Sequence, residues 1–130
     1  MNPAGIRILI VDDEPSLVKM MTVYLERLGY AVTACGSTQE ASRLVQSEPA
    51  SFAVAVLDAT MEGLSMEQLA LQMLRVCPAL RLLAASGYPV DMNALEAAAP
   101  GRVAFLHKPF TPEMLAASVR RMLAPEKETL

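Results

Sequence analysis

Four short stretches of this 130-residue chain hold residues that could do chemistry together: Asp12-Asp13-Glu14, Asp58, Ser86-Gly87 and Lys108-Pro109. Each follows an apolar run, namely Ile6–Val11 (broken only by Arg7), Phe52–Leu57, Leu80–Ala85 (broken only by Arg81) and Val103–Leu106. If those runs are parallel strands, their ends share one edge of a sheet, and three carboxylates, a hydroxyl and an ammonium converge there. Like charges a few ångströms apart repel and raise one another's pKa unless a cation sits among them. A divalent, oxygen-seeking ion is the natural remedy. Magnesium takes one or two protein carboxylates and completes its octahedron with waters and phosphate oxygens. Ser86-Gly87 offers a hydroxyl and backbone amides to an anionic oxygen, and Lys108 offers a positive charge. The set describes a phosphoryl site with an aspartate as acceptor.

The elements that must position these groups alternate along the chain. Ile6–Val11 is β-branched and apolar, as a strand buried on both faces should be. Pro15 suits a first helical turn; Leu17, Met21, Tyr24 or Leu25, and Leu28 follow at helical spacing, and Gly29 supplies the stop. Tyr30–Cys35 reads as the second strand. Ser37-Thr38-Gln39-Glu40 is a capping box for a helix reaching about Ser47, and Ser65-Met66-Glu67-Gln68 is another, for a helix ending before Pro78. Phe52–Leu57 and Leu80–Ala85 are the third and fourth strands. Asp91 is expected to cap a short Ala-rich helix ending by Pro100-Gly101. Val103–Leu106 is the fifth strand, and Thr111-Pro112-Glu113 opens a last helix to about Leu123. Five strands alternating with five helices predict an α/β fold, a doubly wound parallel sheet with helices on both faces. Ligands of such folds bind outside the carboxyl ends of the strands.

Composition narrows the function classes. The net charge of -3, without a basic run, argues against nucleic acid or an anionic membrane as the main partner. The longest unbroken apolar run, Phe52–Leu57, is too short to span a bilayer, and Met1-Asn2-Pro3-Ala4-Gly5 lacks the features of a signal peptide. A cytoplasmic location is expected. Cys35 and Cys77 read as reduced core thiols, and a single histidine argues against a His-based zinc site. The nine methionines read as core filler. Only four of the 14 acidic residues are Asp: Asp12, Asp13, Asp58 and Asp91.

At this point the chain resembles the receiver domain of two-component response regulators, the CheY-like superfamily. The resemblance is carried by Ile8-Leu9-Ile10-Val11-Asp12-Asp13-Glu14-Pro15, Val56-Leu57-Asp58 with Met61, Ala85-Ser86-Gly87, and Phe105-Leu106-His107-Lys108-Pro109-Phe110. It covers about Arg7 to Leu123 in the family's order and spacing. It implies a flavodoxin-like strand order 2-1-3-4-5. It also implies that Asp58 is the phosphoacceptor, taking a phosphoryl group from a phosphohistidine on a sensor histidine kinase or histidine phosphotransfer protein. Asp13 would bind Mg²⁺ directly, Asp12 directly or through water, and Asp58 and the backbone carbonyl of Thr60 would complete the protein's ligands. Ser86 and Lys108 would each hold a phosphoryl oxygen, Lys108-Pro109 would be a cis peptide, and Ser86 and Phe105 would form the switch. His107 is read as a bystander that strand alternation points away from Phe105's neighbours. Output would reach a downstream protein target through the face of helix four, strand five and helix five, which is also the expected homodimer face. The domain is a signalling phosphoacceptor rather than an enzyme, though it contributes to its own phosphotransfer and autodephosphorylation.

Phe105 stands where Tyr is commoner in the family, and two further positions depart from it: Glu62 stands where Pro is common, and Met66 where Gly is common. They favour the alternative of a phosphorylation-independent pseudo-receiver, against which the complete acid, hydroxyl and lysine set argues. A flavodoxin-like cofactor binder would need a Gly-, Ser- and Thr-rich phosphate cradle where this chain has three acids. A haloacid-dehalogenase-type phosphatase would need an Asp where it has Thr60. Residues 1–124 are expected to form the receiver and 125–130 a tail, with no output segment after Leu123. The stretch from Ser86 to Glu113 is similar to receivers fused to hybrid histidine kinases.

Overall fold

The strands form where side chains can be buried on both faces of the pleat. Val54–Asp58 has no exposed residue, and Ile8–Val11 and Leu82–Ser86 are equally covered. The computed structural model describes residues 5–61 and 65–124. In it, β1 (Arg7–Val11), α1 (Pro15–Arg27), β2 (Ala31–Cys35), α2 (Thr38–Ser47) and β3 (Val54–Asp58) lead into α3 (Met66–Val76). They are followed by β4 (Arg81–Ser86), α4 (Asn93–Ala98), β5 (Val103–His107) and α5 (Pro112–Leu123). The sheet is five-stranded and parallel, as the alternation of elements predicts, in the order β2-β1-β3-β4-β5 that the family resemblance implies. Glu62 and the tail at 125–130 lie outside the described residues.

Alternation along the strands sends side chains into two cores. Ile8, Ile10, Val54, Val56, Leu83 and Leu106 meet Met21 and Leu25 of α1 and Leu115, Val119 and Met122 of α5. On the other face Leu9, Val11, Ala55, Leu57, Leu82 and Ala84 meet α2, α3 and α4 through Val45, Met73 and Leu95. Both cysteines are buried in this second core, and burial pushes the Cys35 thiol up to about 11.

Local signals mostly act as expected. Helix α1 ends in a Schellman turn: Gly29 has φ 106°, and the Gly29 and Tyr30 N–H groups donate to the Glu26 and Leu25 carbonyls. Ser65 and Gln68 form a complete capping box. At α2 the box is shifted, because the Ser37 hydroxyl accepts from Glu40 N–H while the Glu40 carboxylate accepts from Gly36 N–H, one residue before the cap. Asp91 is not the cap of α4. Met92 holds that position, and the Asp91 carboxylate accepts from Asn93 N–H, a turn the short acidic side chain closes two residues on. Phe52 precedes β3 yet is buried, with the Arg7 guanidinium 4.5 Å from its ring centre. Apolarity alone therefore placed the start of that strand too early.

Candidate functional site

The order of the strands reverses direction between β1 and β3, and Val11 is registered against Leu57. The next residue on each strand is an aspartate, so Asp12 and Asp58 meet at the switch point, where open α/β sheets bind ligands. Pleating decides which side chains join them. Asp12 follows Ile10, Asp58 follows Val56 and Lys108 follows Leu106 at two-residue spacing, so all three lean toward the face covered by α1 and α5. The Lys108 ammonium lies 3.3 Å from Asp12 Oδ2 and 3.5 Å from Asp58 Oδ1. Asp12, Asp13 and Asp58 each bring a carboxylate oxygen within 4.8 Å of the others. Asp12 and Asp58 are buried, whereas Asp13 is exposed.

Each buried site side chain is tied to the backbone two residues on. Glu14 N–H donates to Asp12 Oδ1 at 2.9 Å, Thr60 N–H to Asp58 Oδ1 at 3.0 Å, and Tyr88 N–H to Ser86 Oγ at 3.0 Å. Asp58 has a further donor, the Thr60 hydroxyl, at 2.8 Å from the same Oδ1. Between strands, Asp12 N–H reaches the Cys35 carbonyl, Ala59 N–H the Ala85 carbonyl and Lys108 N–H the Ser86 carbonyl, which fixes the relative height of the strand ends. The Lys108-Pro109 peptide is cis, as expected.

Charge is out of balance here. Burial is the largest influence on the Asp12 carboxyl and holds it above its ordinary value; the Glu14 amide pulls it down, the Asp58 charge pushes it up, and Lys108 lowers it. Among the described residues the Lys108 ammonium meets two of the three clustered carboxylates, Asp12 and Asp58, an arrangement of hard oxygen donors with excess negative charge that fits a magnesium ion.

The remaining sequence-predicted residues stand further off. Ser86 is buried at the end of β4, but it alternates to the opposite side of the pleat from Asp58 and Lys108. Phe105 is half-buried against the core lined by α2, α3 and α4. His107 corrects the expectation made for it: at two-residue spacing it shares Phe105's side of β5, and the two rings meet edge to face with centres 6.2 Å apart. Met66, where the family resemblance expects glycine, is the first residue of α3 and is buried in the same core. The Thr60 hydroxyl and the Tyr88 amide were missed. The signal for Thr60 was its place two residues after an aspartate, where a hydroxyl can turn back on the carboxylate.

An α/β domain with three acids and a lysine at its switch point carries a charged cluster there rather than the glycine-rich cradle of a dinucleotide binder. The chain belongs to the response regulator receiver domain family, whose model matches residues 8–120. It is 30% identical over 118 residues to the alginate biosynthesis transcriptional regulatory protein AlgB of Pseudomonas aeruginosa, covering 90% of this chain and 26% of that protein. It is 28% identical over 116 residues to the sensor kinase CckA of Brucella abortus, covering 89% of this chain and 12% of the kinase. The chain thus spans about a quarter of the first relative's length and about an eighth of the second's. Among solved structures it resembles the chemotaxis protein CheY4 of Vibrio cholerae, with TM-score 0.79, 26% identity, and coverage of 92% of this chain and 100% of the other. No helix among the described residues is long and apolar enough to cross a membrane.

Proposed function

We propose that residues 1–124 act as a Mg²⁺-dependent phosphoacceptor in a cytoplasmic two-component phosphorelay. Asp58 takes a phosphoryl group from a phosphohistidine on a sensor histidine kinase or histidine phosphotransfer protein. The single observation that carries this reading is Lys108 Nζ standing between the buried carboxylates of Asp12 and Asp58 within a three-carboxylate cluster. Similarity to a sensor kinase and to a transcriptional regulator supports a phosphorelay context.

A carboxylate oxygen of Asp58 attacks phosphorus; the phosphorus–nitrogen bond of the donor breaks, its electron pair returns to the imidazole, and an acyl phosphate forms. Such transfers have loose transition states, so positioning and charge neutralisation do most of the work. Asp13, Asp58 and the Thr60 carbonyl would hold a Mg²⁺ ion, with Asp12 reaching it directly or through water, and the ion would neutralise charge at the phosphoryl oxygens. Lys108 is within a side-chain movement of the phosphoryl group, since its ammonium already touches Asp58. Ser86 keeps a hydroxyl proton to donate, because its bond with Tyr88 uses the oxygen as acceptor. Movement of Ser86 toward the phosphoryl group and of Phe105 inward would change the α4–β5–α5 face that a downstream target or a second copy reads. In autodephosphorylation water attacks phosphorus and gives its proton to solvent, the bond between phosphorus and the Asp58 oxygen breaks, and the free carboxylate and inorganic phosphate result.

With acetyl phosphate and Mg²⁺, the wild type is expected to gain one phosphoryl group, read as one mass increment, and Asp58→Asn none. Equal incorporation in Asp58→Asn refutes the assignment.

A further inference from the structure

His107 is the single histidine of the chain, and the phosphoryl chemistry makes no use of it. Its imidazole is exposed at the end of β5, and among the described residues its side chain has no hydrogen bond or ion pair. What it does touch is Phe105: the ring centres are 6.2 Å apart and the planes stand at 81°. Edge-to-face pairs at this separation attract beyond the area they bury, because the positive edge of one ring meets the negative face of the other. Strand register places both rings with respect to Ser86. Phe105 is level with Ala84 and His107 with Ser86, and all four side chains share one side of the pleat. Ser86 Oγ accepts from the Tyr88 amide of its own loop, and Phe105 is half-buried rather than enclosed, so an inward turn still has surface to bury.

We infer that His107 is a positioning residue for the switch: its ring holds Phe105 in the half-buried place and opposes the inward turn. This rests on Asp58 being the phosphoacceptor and on Phe105 being the group that turns with Ser86. An inward turn carries Phe105 toward β4 and away from a ring that stands in solvent on the edge strand. The edge-to-face contact is therefore made before the turn and lost after it, and only a contact that differs between two states can bias them. Where the turned arrangement is the minor one, its population enters directly into the apparent affinity of whatever binds it. The acidic cluster is insulated from this contact, because Asp12, Asp58 and Lys108 lean to the other side of the sheet. The exposure of His107 also means that trimming it opens no cavity.

The probe is beryllofluoride, a phosphoryl mimic, titrated at saturating Mg²⁺ into protein carrying 4-fluorophenylalanine. Fluorine NMR follows the Phe105 resonance, identified by its loss in Phe105→Leu. His107→Ala and His107→Leu both remove the ring, the second keeping its bulk, and His107→Phe keeps an aromatic edge. The two variants without a ring are expected to bind beryllofluoride about two- to tenfold more tightly than wild type. His107→Phe is expected to bind it as wild type does, and Mg²⁺ affinity by calorimetry is expected to stay unchanged in all three. Equal or weaker beryllofluoride binding in His107→Ala or His107→Leu overturns the inference, as does tighter binding in His107→Phe or a changed Mg²⁺ affinity. A wild-type Phe105 resonance that beryllofluoride leaves in place would instead overturn the switch reading, and the inference with it. Beryllofluoride binding that survives in Asp58→Asn would overturn the phosphoacceptor reading.

Discussion

Asp12 shows how far a single carboxyl is held from its ordinary behaviour. Burial raises its pKa above the ordinary 3.8, with Asp58 adding to the rise and the Glu14 amide and Lys108 offsetting part of it. The folded protein therefore holds the Asp12 proton more tightly than the unfolded chain does. The corresponding stability is fully present below the unfolded value and is lost as pH rises through the folded one. At neutral pH the ionised side chain costs stability, which is the tension a bound cation relieves. Asp12→Asn is therefore expected to melt a few degrees above wild type at pH 7 in a metal-chelating buffer. The gap should close as the pH falls toward the ordinary carboxylate value. A calorimetric pH series checks this, and a variant that melts lower at pH 7 contradicts it. That Asp12 would lie near Asp58 was legible from strand ends. Its burial was not, because burial depends on what α1 and β2 place over it.

At the scale of elements, helix ends are fixed by side chains that bond their backbone groups as well as by apolar stripes. The end of α3 is the clearest case. Arg102, from the loop before β5, donates to the Cys77 and Leu80 carbonyls at 2.8 and 2.9 Å and to the Leu74 carbonyl at 3.3 Å. It thereby satisfies carbonyls a helix leaves orphaned and ties α3 to the start of β4. Arg102→Met keeps much of the apolar stem and removes these donors, and is expected to cost about 1–3 kcal/mol in urea unfolding. Loss of less than about 0.5 kcal/mol, the level of an ordinary surface change, would show that water replaces the guanidinium. Sequence pattern signalled the capping serines because each hydroxyl and the amide that donates to it lie within four residues. It gave no sign of Arg102, whose partners are 22 to 28 residues away.

For the whole molecule, folding assembles a charge cluster that the unfolded chain does not have. Three carboxylates come within 4.8 Å against one ammonium, so a cation that binds only the folded form must stabilise it by mass action. At a hundredfold excess over its Kd, Mg²⁺ is expected to add about 2.7 kcal/mol to unfolding free energy. Asp13→Ala, which removes the exposed member of the cluster, is expected to abolish most of that gain while leaving the metal-free melting temperature nearly unchanged. An equal Mg²⁺ stabilisation in Asp13→Ala would move the ion elsewhere.

Alternation of apolar strands with capped helices determined the parallel α/β architecture, because burial on both faces and right-handed crossovers leave few other arrangements. The aspartates and lysine were legible as a site for the same reason: each ends an apolar run, and parallel strands end together. What only the tertiary structure decided is which of those groups touch. The pleat turns Asp12, Asp58 and Lys108 to one side and Ser86, Phe105 and His107 to the other, and register sets Asp12 level with Asp58. Register and pleat depend on pairing between strands far apart in sequence, so a shift by one residue would have sent the same side chains to the opposite face.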